Sequence, residues 1–313
     1  MITKDPADLT EHADPAGAGA HAGRRRRRRV LVSTMALPAV CTMLNGLAGF
    51  ASIHFATKDA LGDSGLGNLA IAAWMIGVGM FFDALDGRLA RITRKTSDFG
   101  AQLDSMCDVI TFGVAPAVLM LRTVTAVLRG HVERVDMLLG GMALERTIWC
   151  VAAAYLACAA LRLARFNVET DAHEPAHMTF RGLPSPGAAA AVGALVLLFT
   201  YLAPQEQGWR SSVWVLATVS VTLPVVTLLV SLLMVSRFQY THVVNYYFKG
   251  RKRFDFLVKM VVFLLAVCLL PYVTAAVLAV AYAFSGPVRA GRRALQARRE
   301  RGGAATPSGR PSA

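Results

Sequence analysis

Between residues 83 and 108 the chain reads DALDGRLARITRKTSDFGAQLDSMCD, which sets four carboxylates, Asp83, Asp86, Asp104 and Asp108, at or near the ends of two apolar segments. A charged side chain at membrane depth costs several kcal/mol, so such residues are rare and mark functional cavities. Asp83 and Asp86 are three apart and Asp104 and Asp108 four apart, so on helices each pair projects from one face. The polar stretch from Ile92 to Phe99 supplies a turn that lets the second helix run back against the first, so that the two acidic faces meet. Gly87, Ala90 and Gly100 lie on or beside those faces, where small residues let backbone and ligand come close. Carboxylates clustered without His or Cys partners select hard cations such as Mg²⁺ or Mn²⁺. Four acids suit two such ions, which together neutralise a diphosphate, stabilise a leaving group and orient an attacking hydroxyl. The bland alternative is a loop salt-bridge network with Arg88, Arg91, Arg94 and Lys95, but salt pairing alone does not call for two glycines and an alanine at these places.

The elements that position these acids must be membrane helices. The chain has 313 residues, 55% of them hydrophobic, and a mean hydropathy of +0.46, which points to one polytopic, all-α membrane domain rather than two soluble ones. The formal charge of +13 is carried largely by residues flanking the apolar spans, as for cytoplasmic loops against anionic headgroups. A nucleic-acid partner would need a soluble basic face that the sequence does not contain. Five cysteines, Cys41, Cys107, Cys150, Cys158 and Cys268, stand singly with no metal-binding spacing and are expected as small buried hydrophobes.

Taken in order, residues 1–29 form a tail expected to be disordered that closes on six arginines, Arg24 to Arg29. The apolar run after them is long and has no clear small-residue cleavage site, which favours an uncleaved first span over a secretory signal. A membrane domain over 30–287 follows, with spans expected at about 36–56, containing Thr42, Asn45 and Gly49, then 66–89, 100–121, 147–163, 187–201 and 213–235. Pro116 should bend the third, and Arg129 to Arg146 suits an external loop. The polar segment from Arg162 to Pro186 and the basic loop from Arg237 to Arg253 fall inside. Residues 254–284 are either one long helix kinked at Pro271 or a tight hairpin of two short spans. The basic residues from Arg289 to Arg299 place the last tail, 288–313, on the cytoplasmic side. That favours the hairpin, a count of about eight spans (six to eight), and both termini and the acidic site inside.

The arrangement Asp83-x-x-Asp86-Gly87-x-x-Ala90-Arg91, eight residues, then Gly100-x-x-x-Asp104-x-x-x-Asp108 resembles the complete signature of the CDP-alcohol phosphatidyltransferases, integral membrane enzymes of phospholipid synthesis. The resemblance implies a substrate, CDP-diacylglycerol, bound with its diphosphate on the metals, an alcohol attacking the lipid-side phosphorus, and departure of CMP. It implies Asp83, Asp86 and Asp104 as principal metal ligands, and Asp108 as both ligand and general base. Gly87, Ala90, Arg91 and Gly100 would shape the nucleotide pocket, with Arg91 on a phosphate and Asn45 lining the site. Relatives are generally dimers, which implies a homodimer within the lipid bilayer.

Phe112-Gly113, then Arg165-Phe-Asn167 and Gly182-Leu-Pro184-Ser-Pro186, extend the likeness toward the branch that transfers to L-serine, and the whole resemblance covers roughly residues 36–190. Serine brings a carboxylate, for which a guanidinium is a suitable bidentate partner. Arg165 is the first candidate, Asn167 a neighbouring polar contact, and Arg162 or Arg181 the substitutes. Cys107 stands where relatives commonly have Ala, and Ser185 departs from the usual residue between its prolines, which leaves inositol phosphate, glycerol phosphate and choline open as acceptors. Two other classes stay open: a cation-coupled transporter, against which no internal repeat of broken helices is present, and a catalytically dead scaffold, against which the complete set of acids stands.

Overall fold

The computed structural model describes residues 37–58, 65–93, 98–129, 141–171, 182–203, 218–238, 240, 261 and 264–303. Every regular element among them is helical: α1 (Leu37–Thr57), α2 (Gly65–Thr93), α3 (Asp98–Asp108), α4 (Ala115–Arg129), α5 (Gly141–Asp171), α6 (Ser185–Leu202), α7 (Leu223–Val235) and α8 (Pro271–Gly303). Six stretches among the described residues are long and apolar enough to cross a membrane, and Val219–Val235 is a shorter apolar helix. The protein is therefore a multi-pass helical bundle, as its composition predicts.

Small residues let these helices approach one another. The first turns of α6 bury Ala188, Ala189, Ala191, Val192, Gly193 and Ala194, and α6 packs against α2, α7 and α8, while α5 packs against α4 and α7. Leu, Val, Met and Phe side chains exposed on α1, α7 and α8, such as Leu47, Phe50, Leu232 and Val277, form the apolar outer surface that lipid would cover.

Prolines inside helices leave the carbonyl four residues earlier without its amide donor, and here tyrosines repair the loss. The α3 to α4 junction is a π-helical turn, Val109–Val114, just before Pro116. Phe112 O, the carbonyl four residues before Pro116, accepts from Tyr155 Oη at 3.0 Å. Pro287 lies inside α8, and Ala283 O accepts from Tyr240 Oη at 2.8 Å. Burial pushes the Tyr240 phenol up to about 12, so it remains a donor at neutral pH.

Several sequence expectations shift. Arg162, Arg165 and Asn167 stand in the last turns of α5, which runs past the expected end at Leu163 to Asp171, because Leu-Arg-Leu-Ala-Arg favours continued helix. Pro271 divides the last apolar stretch: Leu270 is non-helical between a helical piece at 264–269 and α8. Thr274 Oγ1 reaches back to Ala266 O at 3.0 Å across the break. Residues 271–293 then supply a full-length span by themselves, so the second half of the stretch is longer than the hairpin leg expected. The helix continues to Gly303, beyond position 287 where the membrane domain was expected to end. The tail 1–29, most of the loops at 129–146 and 237–253, residues 254–260 and Arg181 lie outside the described residues.

Candidate active site

Asp83 comes from α2 and Asp104 and Asp108 from α3, and one carboxylate oxygen from each lies within 4.8 Å of the other two. All three are half-buried. Asp104 Oδ1 is buried and without a hydrogen-bond partner. Like charges this close repel strongly at low effective dielectric, and a buried acceptor left unmatched is costly, so the arrangement is unstable by itself and suits a bound cation. The oxygen-only donor set fits a hard divalent ion such as Mg²⁺ or Mn²⁺. Asp86, expected as a fourth ligand, is 5% exposed and accepts from the Thr42 hydroxyl at 2.9 Å through Oδ2. It stands one helical turn from Asp83 and outside the group of three.

The first helix holds this site together. Asn45 Nδ2 donates to Asp108 Oδ1 at 2.9 Å, and Thr111 Oγ1 donates to Asn45 O at 2.8 Å. Asn45, expected to line the site, therefore supports Asp108 directly. Glycines let α1 and α2 come this close to the turn after Asp108. A Cβ on Gly46 would stand 2.8 Å from Cys107 Sγ, one on Gly49 would stand 2.7 Å from Thr111 Cα, and one on Gly79 would meet Thr111 and Asn45. Thr42 and Asn45, three apart on one helix, were visible in the sequence as a polar pair; only packing shows which acids they serve.

Of the remaining expected residues, Gly87 has open space where its Cβ would be, as a wall beside a ligand requires, and Ala90 and Gly100 are half-buried. Arg91 lies in α2 but its side chain is outside the described residues. Arg165 is exposed, whereas Arg162 is half-buried. Arg162 Nη1 donates to Ser185 Oγ at 2.6 Å, its Nε is buried without a partner, and it interacts electrostatically with Asp108 and Asp83. Asn167 points back to α3, donating from Nδ2 to Ser105 Oγ at 2.9 Å. The Ser105 hydroxyl is next in sequence to Asp104, so this bond ties the end of α5 to the acidic helix. Sequence reasoning missed Ser185 as the partner of Arg162 and Tyr155 as the support of the turn after Asp108, since neither pairing has a signature in spacing.

The sequence model of the CDP-alcohol phosphatidyltransferase family matches residues 35–227, more than half of the chain, and spans every residue of this site described so far. The chain belongs to this family. Among curated proteins it is 33% identical over 199 residues to a CDP-diacylglycerol–serine O-phosphatidyltransferase of Mycobacterium bovis, covering 62% of this chain and 59% of that protein. It is 34% identical over 161 residues to the protein of that name from Helicobacter pylori, covering 51% and 57% respectively. It is 32% identical over 173 residues to an archaetidylserine synthase of Methanothermobacter thermautotrophicus, covering 55% and 62%. The aligned part thus spans about 60% of each relative's length. The acids sit on α2 and α3, inside the matched region, and α8 lies beyond it.

Proposed function

We propose that this phosphatidyltransferase moves the phosphatidyl group of CDP-diacylglycerol to the hydroxyl of L-serine, giving phosphatidylserine and CMP, at the cytoplasmic face of a cell membrane. The observation that carries the reading is the convergence of Asp83, Asp104 and Asp108 within 4.8 Å at a site where the half-buried Arg162 interacts with Asp108. The names of the three relatives, each a serine-type synthase, support the choice of acceptor. The arginine-rich ends of the chain support cytoplasmic termini.

Asp83, Asp104 and Asp108 would hold the divalent cations, two of them with the help of Asp86. Bound there, such ions would supply positive charge for the diphosphate and for the departing CMP. Gly87 leaves room for the nucleotide, and Ala90, Arg91 and Gly100 complete that wall. Asp108, oriented by Asn45, accepts the proton of the serine hydroxyl as its oxygen bonds to the lipid-side phosphorus. The phosphorus–oxygen bond to CMP breaks, and CMP leaves with that oxygen. Arg162 pairs with the serine carboxylate. We assign this role to Arg162 rather than to Arg165, because a guanidinium tied to Ser185 and carrying a buried Nε without a partner is preorganised for a planar anion, whereas Arg165 is exposed.

Purified protein supplied with CDP-diacylglycerol should release CMP when given L-serine and divalent metal. Arg162→Ala should raise the KM for serine by about tenfold or more, the worth of one charged hydrogen bond, while Arg165→Ala changes it much less. Faster CMP release with inositol phosphate, glycerol phosphate or choline than with serine would sink the acceptor assignment. Metal-dependent uptake into vesicles without CMP release would favour a transporter instead.

A further inference from the structure

Arg162 is not alone beside the first turn of α6. Two residues after Ser185, Gly187 packs against the ring of Tyr282 from α8, so closely that a Cβ on Gly187 would stand 2.8 Å from Tyr282 Cε1. Tyr282 also lies tilted against Tyr240, ring centroids 6.1 Å apart. Its neighbour Tyr240 is committed to Ala283 O at 2.8 Å, whereas the Tyr282 hydroxyl has no hydrogen-bond partner among the described residues. Tyr282 is half-buried, and the charged groups that interact with it are Arg162 from α5 and Arg289 from its own helix. One phenol with an uncommitted hydroxyl thus stands over the same helix turn that holds the guanidinium, on a helix outside the region that the family shares.

We propose that Tyr282 is a specificity-determining residue of the acceptor pocket: its hydroxyl donates a hydrogen bond to the anionic group of the alcohol while Arg162 pairs with that group's charge. The inference rests on the assignment of Arg162 made above. Physically, an uncommitted O–H beside a guanidinium forms a mixed donor set for a planar carboxylate, and Tyr loses little side-chain freedom when it binds. Gly187 is needed because any larger residue would displace the ring. The last helix therefore does more than anchor the chain: it closes the acceptor side of a site whose metal side is built from α1, α2 and α3.

The test uses the full-length purified protein in its metal-loaded form. Tyr282→Phe keeps the ring on Gly187 and removes only the hydroxyl. The KM for L-serine should rise about tenfold, the effect of one hydrogen bond to a charged group, with the KM for CDP-diacylglycerol and the metal concentration for half-activity unchanged. Gly187→Ala, which displaces the ring, should show the same split. A serine KM within twofold of wild type in Tyr282→Phe, or equal shifts for serine, CDP-diacylglycerol and metal, overturns the Tyr282 assignment while serine transfer still stands. Wild-type protein that ignores L-serine overturns the serine reading, and the KM for whichever anionic acceptor works then tests Tyr282 in the same way.

Discussion

Asn45 on the first helix donates a 2.9 Å hydrogen bond to Asp108 on the third, and its own backbone carbonyl accepts from Thr111, three residues further along. Asn45 thereby grips the turn that begins at Asp108 at two points. Asn45→Ala removes the donor to Asp108 and leaves that carboxylate free to rotate. Partners of this kind, one step removed from a metal, are worth about 10- to 100-fold in metal affinity or activity. CMP release measured across a range of Mg²⁺ or Mn²⁺ concentrations should show a higher half-activation concentration together with a lower maximal rate. Asn45→Asp should do worse, because it adds a carboxylate beside those already crowded there.

Three carboxylates within 4.8 Å are a stability cost that function imposes. Chelation should abolish CMP release and added Mg²⁺ or Mn²⁺ should restore it. Asp104→Asn should lower the rate by more than about 100-fold, corresponding to several kcal/mol of lost charge stabilisation. In the metal-free state the same variant should melt a few degrees higher than wild type, since one repelling charge is gone; each kcal/mol is worth about 2–4 °C in a domain of this size. Wild type should gain melting temperature with metal and Asp104→Asn should gain little. A metal-free variant that melts lower than wild type would contradict the repulsion argument.

Gly182 has φ +90, and its amide donates to Phe238 O at 2.8 Å while that of Leu183 donates to Leu233 O at 3.0 Å. A Cβ there would run into Met234 O and stand 3.1 Å from Ser236 O. Gly182→Ala should therefore destabilise the protein by about 1–3 kcal/mol from backbone strain alone, read as a lower melting temperature in detergent. Because the same strap leads directly into Ser185 and the Arg162 pair, the KM for the acceptor should rise more than that for CDP-diacylglycerol.

Much of the fold and of the site was legible in the residues themselves. Long apolar stretches mark membrane helices because their backbone must pair internally in lipid. Asp83, Asp86, Asp104 and Asp108 stand out as a candidate cation site because so many acids between apolar spans are rare. Pro116 marks a bend and a carbonyl that must find another donor. Less legible were the ends of helices: α5 runs on through Arg162 and Arg165 and α8 runs to Gly303, because polar good helix formers continue a helix past the point where hydropathy falls.

By itself, then, the sequence determined the helical membrane architecture and the acidic signature, since helical period and charge at apolar depth are local properties readable along one chain. Only the tertiary structure decided which partner each side chain meets. It paired Asn45 with Asp108 across 63 residues, Thr42 with Asp86 across 44, and Arg162 with Ser185 across 23, and it brought Tyr282 onto Gly187. Such pairings depend on how glycine and alanine faces let particular helices close on one another, and close packing between distant segments has no signature in the spacing of either one.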